Sequence, residues 1–128
     1  MLVQTLIERE YAVLLSHPIV RSVDLVRYTI NRLDGYLRAR CLLDNGDFLE
    51  VALHASMAGG TAIIDDYRYQ WMDRSRAALR RRWDNTPHFP NLSGAPHHCH
   101  IGDGIVEPSQ PMNTVQLLDL LADLIRTS

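Results

Sequence analysis

Arginine and histidine side chains are concentrated beside one another in the second half of this 128-residue chain. Five of its 13 arginines lie within residues 74–82, and four of its six histidines lie within residues 88–100. An imidazole takes up and releases a proton near neutral pH, and a guanidinium is a permanent cation that matches the geometry of a phosphate. Together these residue types suit the cleavage of a phosphodiester, in which a proton is exchanged while negative charge develops on the phosphate oxygens.

The densest part of this region is the run Pro-His-His-Cys-His at residues 96–100. If the run is extended, His98 and His100 lie on one side and His97 and Cys99 on the other. We interpret His98 and His100 as an acid–base pair that needs no metal ion and no other cofactor. Two alternatives stay open. One is a metal site formed by residues 97–100, although their spacing matches none of the common zinc patterns. The other is a structural loop whose imidazoles form hydrogen bonds to backbone carbonyls.

Three consecutive arginines lie near the end of the last predicted strand. In a strand, Arg80 and Arg82 point to one face and Arg81 to the other. Arg80 and Arg82 could therefore hold successive phosphates of one nucleic-acid strand. The same pattern is also typical of a solvated strand face that discourages edge pairing, so both interpretations stay open.

The segment from Trp83 to His88 joins this strand to a proline-rich loop. Asp84 and Asn85 favour the turn before the next proline; alternatively, Asp84 orients an imidazole and so fixes its tautomer, which would give it a catalytic role. If the loop returns across the end of the sheet, at least two imidazoles come within ~8 Å of the Arg82 or Asp84 side chain, a distance that one water bridges. The sequence thus predicts catalytic roles for His88, His97, His98, His100 and Asp84, and substrate contacts for Arg80, Arg82, Trp83 and Asn85.

The elements that position these residues follow from hydrophobic periodicity. Residues 1–16 have apolar side chains at spacings of three and four, which predicts an amphipathic helix. Residues 20–83 change to a period of two with short turns, which favours five antiparallel strands connected as a meander. Residues 84–111 hold five of the six prolines and predict a long loop. Residues 113–127 predict a second amphipathic helix with a polar cap at its start.

The register of one hairpin follows from the side chains that must share a face. A three-residue loop over residues 44–46, with Gly46 in the left-handed conformation, pairs Cys41 with Leu49. A two-residue loop would place the apolar faces of the two strands on opposite sides of the sheet. We therefore predict the three-residue loop.

Length and composition set the class of the protein. A chain with 46% hydrophobic and 22% charged residues predicts one globular domain over residues 1–128. We expect an α+β fold in which a five-stranded antiparallel β-meander carries the N-terminal and C-terminal helices on one face.

The net charge of −2 excludes a uniformly basic nucleic-acid binder but not a local basic patch. No apolar stretch approaches the ~18 residues of a membrane span, and two cysteines are too few for a disulfide framework, so we expect a cytoplasmic protein with no membrane partner.

Four sequence motifs resemble those of the TumE-type family of small bacterial proteins. The first is an Arg-Trp-Asp-Asn segment that ends in Pro-His, and the second is the Pro-His-His-x-His run. A Val-x-Pro-Ser segment and an aromatic strand accompany them, and the resemblance extends from Val20 to Ile125. The order and spacing of the motifs are specific, and they occupy residues 82–88, 96–100, 106–109 and 67–71.

The chain departs from the family pattern at two positions. Thr86 stands where the family usually has alanine, and Phe89 stands where it usually has a second histidine. A mechanism that needs a histidine at residue 89 therefore does not carry over to this chain.

The resemblance implies a toxin of a type II toxin–antitoxin system whose partner is a helix-turn-helix antitoxin protein. Together with the clustered residues, it makes our leading hypothesis a growth-inhibiting toxin that acts on RNA as a metal-independent ribonuclease. His98 and His100 would exchange the proton, and Asp84 would orient one of the imidazoles. Arg80 and Arg82 would bind phosphates. The rival hypotheses are a non-enzymatic protein-binding module with a structural histidine-rich loop, and a metal-binding protein; the sequence also leaves a homo-oligomer open.

Overall fold

The computed structural model of the protein describes residues 1–127, which form two helices and one seven-stranded antiparallel sheet. The order of strands in the sheet is their order in the chain, so the predicted α+β class and meander are confirmed. The helices are α1 (Val3–Ser16) and α2 (Thr114–Arg126). The strands are β1 (Val20–Ile30), β2 (Asp34–Leu43), β3 (Phe48–Ala58), β4 (Thr61–Met72), β5 (Leu79–Asp84), β6 (His98–Ile101) and β7 (Ile105–Pro108).

The prediction of five strands is wrong, because β6 and β7 lie within the predicted loop. Each has only four residues, and β6 consists mainly of histidine and cysteine, so neither shows a run of alternating apolar residues long enough to mark a strand. β6 pairs with the edge of β5, and β7 pairs with β6, both antiparallel. The pairing of β5 with β6 joins segments that residues 85–97 separate, so it leaves no local pattern in the sequence. Residues 85–97 remain an irregular connection between β5 and β6.

The hairpin between β2 and β3 has the predicted register, with Cys41 opposite Leu49. Gly46 has a φ of 92°, a left-handed conformation that glycine adopts without the steric cost of a side chain. The three-residue turn keeps the apolar side chains of both strands on one face of the sheet. These side chains are fully or almost fully buried: Leu37, Ala39, Cys41, Leu43, Leu49, Val51, Leu53 and Ala55.

Both helices cover this face, which we call the helix face; the opposite face of the sheet is the open face. α1 packs against strands β1 to β4. α2 begins with a capping box between Asn113 and Gln116, and its Thr114 hydroxyl lies 3.2 Å from the hydroxyl of Tyr69 on β4. Within the described residues, neither helix is long and apolar enough to cross a lipid bilayer.

A buried carboxyl group joins the two helices to the sheet. Glu10 of α1 is 5% exposed and accepts hydrogen bonds from the backbone and side chain of Thr114. Because Thr114 also contacts Tyr69, these three residues link α1, α2 and β4. Burial raises the pKa of Glu10 above its ordinary value, and this effect exceeds the opposing effect of the hydrogen bonds.

We expect Glu10→Gln to raise the free energy of unfolding at neutral pH. The folded protein favours the neutral form of Glu10. This residue therefore stabilises the fold fully below the ordinary glutamate pKa of about 4.3, and that contribution is lost as the pH rises through the raised pKa. Glutamine keeps an acceptor oxygen without the charge. Urea unfolding at acidic and neutral pH measures the effect, with Glu8→Gln on the exposed side of α1 as the control. A difference between wild type and Glu10→Gln that does not change with pH contradicts this prediction.

Candidate active site

The pairing of β5 with β6 brings several predicted site residues together. Asp84 lies opposite His98, and Arg82 lies opposite His100. Because side chains alternate along a strand, these four point to the open face, while Trp83 points to the helix face. We call Arg82, Asp84, His98 and His100 the histidine cluster.

Three side chains of the histidine cluster meet at one point. Asp84 Oδ1 lies 2.9 Å from His98 Nε2, and the Nε2 atoms of His98 and His100 are 3.1 Å apart. His100 Nε2 lies 3.8 Å from Asp84 Oδ2. The predicted approach of two imidazoles to Asp84 is therefore confirmed, and His98 is in direct contact with the carboxylate.

Backbone and side-chain donors hold the Asp84 carboxylate in place. Its Oδ1 accepts a hydrogen bond from the Thr86 backbone N–H at 3.0 Å, and its Oδ2 accepts one from Arg82 Nε at 3.2 Å. The residue is only 4% exposed. The structure thus combines the two predicted alternatives for Asp84, since the carboxylate contacts the backbone of the turn and an imidazole at once.

The ring of His98 is held at both nitrogens. Nδ1 lies 2.9 Å from the Pro96 carbonyl oxygen, which can only accept a hydrogen bond, so Nδ1 carries a proton. Nε2 is therefore the atom that His98 presents to Asp84 and His100. His98 is only 1% exposed, so this nitrogen is shielded from bulk solvent.

His100 connects the histidine cluster with solvent, since its side chain is 18% exposed. Burial lowers the pKa of His100 from its ordinary value, and the positive charge of Arg82 lowers it further. The neutral imidazole, with a lone pair on one nitrogen, is thereby favoured. Phe89 forms an apolar wall against both imidazoles, with its ring centroid 5.0 Å from that of His98 and 5.8 Å from that of His100.

The other two predicted histidines, His88 and His97, lie outside the histidine cluster. His88 is exposed and contacts Phe89, with 6.4 Å between the ring centroids. A positive charge on the His88 ring lowers the pKa of His100 further, as the smallest of the effects that act on it. His97 stacks on Tyr67, a buried residue of the helix face, and its Nδ1 lies 2.8 Å from the Tyr67 hydroxyl.

The structure changes the set of residues that could hold a metal ion. The alternative set at residues 97–100 is wrong, because two of its four members alternate away to the helix face. Instead, Asp84, His98 and His100 each bring one ligand atom to within 4.8 Å of the others. One carboxylate and two imidazoles are a common ligand set for transition metals.

Arg80 does not join Arg82 at the histidine cluster. A bulge in the pairing with β4 leaves Arg80 as an extra residue of β5, so the prediction that Arg80 and Arg82 share a face is wrong. Arg80 Nε lies 2.8 Å from Oδ2 of the buried Asp47. The same oxygen accepts a hydrogen bond from Trp71 Nε1 at 3.0 Å. Arg80 therefore supports the packing around the β2–β3 turn.

Trp83 and Asn85, which were expected to contact a substrate, make structural contacts. Trp83 is 2% exposed on the helix face, on the other side of the sheet from the histidine cluster. Asn85 Oδ1 accepts a hydrogen bond from the Tyr67 backbone N–H, and Asn85 Nδ2 donates to the Asp65 carbonyl, both at 3.0 Å. Through these two hydrogen bonds, Asn85 holds the segment that follows β5 against the neighbouring strand β4.

Sequence reasoning missed three groups that complete the site: the Phe89 ring, the Pro96 carbonyl and the Thr86 backbone N–H. The two backbone groups leave no trace in the residue types, because every residue other than proline offers the same donor and acceptor. Phe89 did carry a signal, since it stands where the resembled family usually has a histidine. A histidine-rich family motif indicates that this position faces the other imidazoles.

The sequence model of a protein family described as Toxin TumE matches residues 10–127, nearly the whole chain. The chain belongs to the TumE family. The resemblance carried by the sequence motifs is therefore confirmed, and all residues of the histidine cluster lie within the matched range. No curated protein and no solved structure matches the chain.

The histidine cluster of this TumE-family chain can support two kinds of chemistry. Two imidazoles in contact can exchange a proton with a bound molecule while Arg82 stabilises negative charge. The three converging ligand atoms can alternatively bind a metal ion. Both uses need the Nε2 lone pairs of His98 and His100, so one excludes the other at any given moment.

We expect Asp84→Ala to reduce the free energy of unfolding by about 3–5 kcal/mol. The substitution leaves His98, Arg82 and the Thr86 N–H without their shared partner between β5 and β6. Asp103→Ala, in the exposed turn between β6 and β7, is the control and should change the value by less than about 0.5 kcal/mol. Urea unfolding of the three proteins measures both effects. Equal stability of the two variants would show that Asp84 does not hold these strands together.

Proposed function

We propose that this TumE-family protein is the toxin of a type II toxin–antitoxin system and that it acts as a ribonuclease. The observation that carries the proposal is the meeting of two imidazoles, a carboxylate and a guanidinium on the open face. Cleavage of a phosphodiester needs a proton acceptor, a proton donor and a fixed cation near the phosphate, which these groups supply. Membership in a family described as a toxin supports the biological role. Because cellular RNA is the target, the proposed activity belongs in the cytoplasm.

In this mechanism His100 meets the RNA, because its ring reaches solvent while His98 is buried behind it. His100 takes the proton from a ribose 2′-hydroxyl, and the 2′ oxygen attacks phosphorus. The bond from phosphorus to the 5′ oxygen breaks, and the pair of imidazoles returns the proton to that leaving oxygen. The 3.1 Å separation of the Nε2 atoms allows the two rings to share the proton. The products are a 2′,3′-cyclic phosphate and a 5′-hydroxyl, and the reaction needs no metal ion.

Arg82 is the proposed phosphate-binding residue, and Asp84 is a positioning residue. The contact between them uses Arg82 Nε, and a guanidinium has four further N–H donors that can bind phosphate oxygens. The Arg82 side chain is 31% exposed, so a substrate can reach it. Its permanent charge stabilises the additional negative charge that develops when the 2′ oxygen attacks. Asp84 holds the side chains of Arg82 and His98 in position without contacting the substrate itself.

The proposal predicts that RNA cleavage persists in the presence of a chelator. Purified protein, free of antitoxin, should cut total cellular RNA in EDTA, and His100→Ala should slow the cleavage by roughly 10²–10⁴-fold. The matched control is His54→Gln, because His54 contacts Asp65 outside the histidine cluster and should be dispensable. Initial rates on a fluorogenic RNA measure the effect. RNA that stays intact at high protein concentration, with or without added metal ions, removes the ribonuclease proposal.

A protein-binding module without enzymatic activity is the second candidate, and the burial of Asp84 and His98 favours it. In that case the histidine cluster is a structural support for the loop over residues 85–97. A double variant, His98→Ala with His100→Ala, separates the two candidates in a growth assay. If this variant remains folded and as toxic as the wild type, the binding module is correct; if toxicity is lost while the fold remains, the ribonuclease is supported.

A helix-turn-helix antitoxin is the proposed protein partner. Expression of this chain alone should stop growth, and co-expression of a small helix-turn-helix protein encoded beside it should restore growth. The two proteins should also purify together. Growth arrest that such a neighbour leaves unchanged contradicts the partner assignment and has no bearing on RNA cleavage by the purified protein.

A further inference from the structure

We infer that Asp84, His98 and His100 form a binding site for a divalent transition metal ion, with zinc as the best-fitting ion. This set of ligands differs from the metal alternative at residues 97–100, because it includes Asp84 and excludes His97 and Cys99. The inference rests on the geometry of the three side chains and stands whether or not the protein cleaves RNA. It does bear on the proposed function, because the ion would use the same nitrogens as the proton.

The spacing of the ligand atoms matches that of a tetrahedral zinc site. With zinc–ligand bonds of about 2.0–2.1 Å, the ligand atoms of a tetrahedral site lie about 3.3 Å from one another. In the histidine cluster His98 Nε2 lies 2.9 Å from Asp84 Oδ1 and 3.1 Å from His100 Nε2, and His100 Nε2 lies 3.8 Å from the other oxygen of the same carboxylate, Oδ2. One ligand atom from each of the three residues lies within 4.8 Å of the other two, so small side-chain movements bring them to the spacing of a tetrahedral site. Three protein ligands leave the fourth position for water or another small ligand.

The lone pairs in the histidine cluster need a positive partner. His98 Nδ1 already donates to the Pro96 carbonyl, so its Nε2 faces Asp84 Oδ1, which accepts when ionised, and His100 Nε2, which accepts in the tautomer that carries its proton on Nδ1. A single proton can lie between only two of these three atoms, so the third atom has no equally close positive partner. A metal ion accepts a lone pair from all three atoms at once, which makes it the better match to this arrangement.

The groups around the three ligands are those that support metal sites. In metal sites the second ring nitrogen of a histidine ligand usually donates its N–H to a carbonyl or carboxylate, as His98 Nδ1 does to the Pro96 carbonyl. Asp84, the carboxylate ligand, is itself fixed by the Thr86 backbone N–H. Phe89 covers the rings on one side, which limits the access of water. Arg82 opposes the binding of an ion, because its positive charge next to Asp84 weakens the attraction for a cation.

Metal binding should compete with the proposed proton exchange. An ion bound at this site occupies the Nε2 lone pairs of His98 and His100, so neither can take a proton from RNA. This consequence, unlike the site itself, rests on the proposed function. We therefore expect zinc to inhibit the metal-independent cleavage and EDTA to restore it.

The site can be tested by calorimetric titration of zinc into the untagged, chelator-treated protein. We expect one zinc ion per chain, a dissociation constant in the micromolar range or below, and replacement by Co²⁺ with the absorption bands of tetrahedral cobalt. His100→Gln should weaken zinc binding more than tenfold, since it removes one ligand, whereas His54→Gln should leave it unchanged. Phe89→His should strengthen binding, because this side chain contacts both imidazoles and would add a fourth ligand. Circular dichroism establishes that each variant is folded.

The possible outcomes separate the metal site from the proposed function. Wild-type protein that binds no zinc, or binding that is equally tight in His100→Gln, overturns the metal site. Zinc that binds and inhibits RNA cleavage supports both the site and the proton-exchange mechanism. Zinc that binds and is required for cleavage supports the site and overturns the metal-independent mechanism. If no RNA is cleaved under any condition, the titration alone decides on the metal site.

Discussion

The antiparallel pairing of β5 with β6 is the interaction on which the site depends. It comprises four residue pairs, and two of them, Arg82 with His100 and Asp84 with His98, make up the histidine cluster. Short strands have little stability of their own and need side-chain packing to persist. On the open face this support comes from the contact between Asp84 and His98, and on the helix face from the buried indole of Trp83. The residues proposed to do chemistry therefore also hold the strand that carries them.

The alternation of side chains along β5 allows one short strand to serve the core and the site together. Arg82 and Asp84 face the histidine cluster, and Trp83 between them fills the core. The loop over residues 85–97 returns over the open face, where Phe89 covers the imidazoles. Electrostatic contacts strengthen where water is excluded, so this cover makes the attraction of Asp84 for its partners larger than on an open surface. The same burial lowers the pKa of His100, and the neutral ring is the form that accepts a proton or a metal ion.

Much of the fold could be predicted because it follows from local rules. The register of the β2–β3 hairpin depends on which side chains must be buried and on the left-handed glycine of its turn. The start of α2 depends on the capping residues Asn113 and Gln116. At the site, alternation alone placed His98 and His100 on one side of their run. The prediction for Arg80 failed because it assumed regular alternation, and a bulge in β5 interrupts it.

The sequence by itself determines the residue types of the site, the two helices, the first five strands and the side on which each histidine of β6 lies. These are consequences of composition, periodicity and turn chemistry, which act between residues close in the chain. Only the tertiary structure decides that β6 adds to the edge of β5, that Asp84 meets His98, and that Arg80 turns to Asp47. These contacts join segments that are far apart in the chain, and their stability depends on hydrogen bonds and burial that neither segment shows alone. For the same reason the sequence offered a metal site only as an alternative at residues 97–100, and the fold instead combines two of those histidines with a carboxylate from another strand.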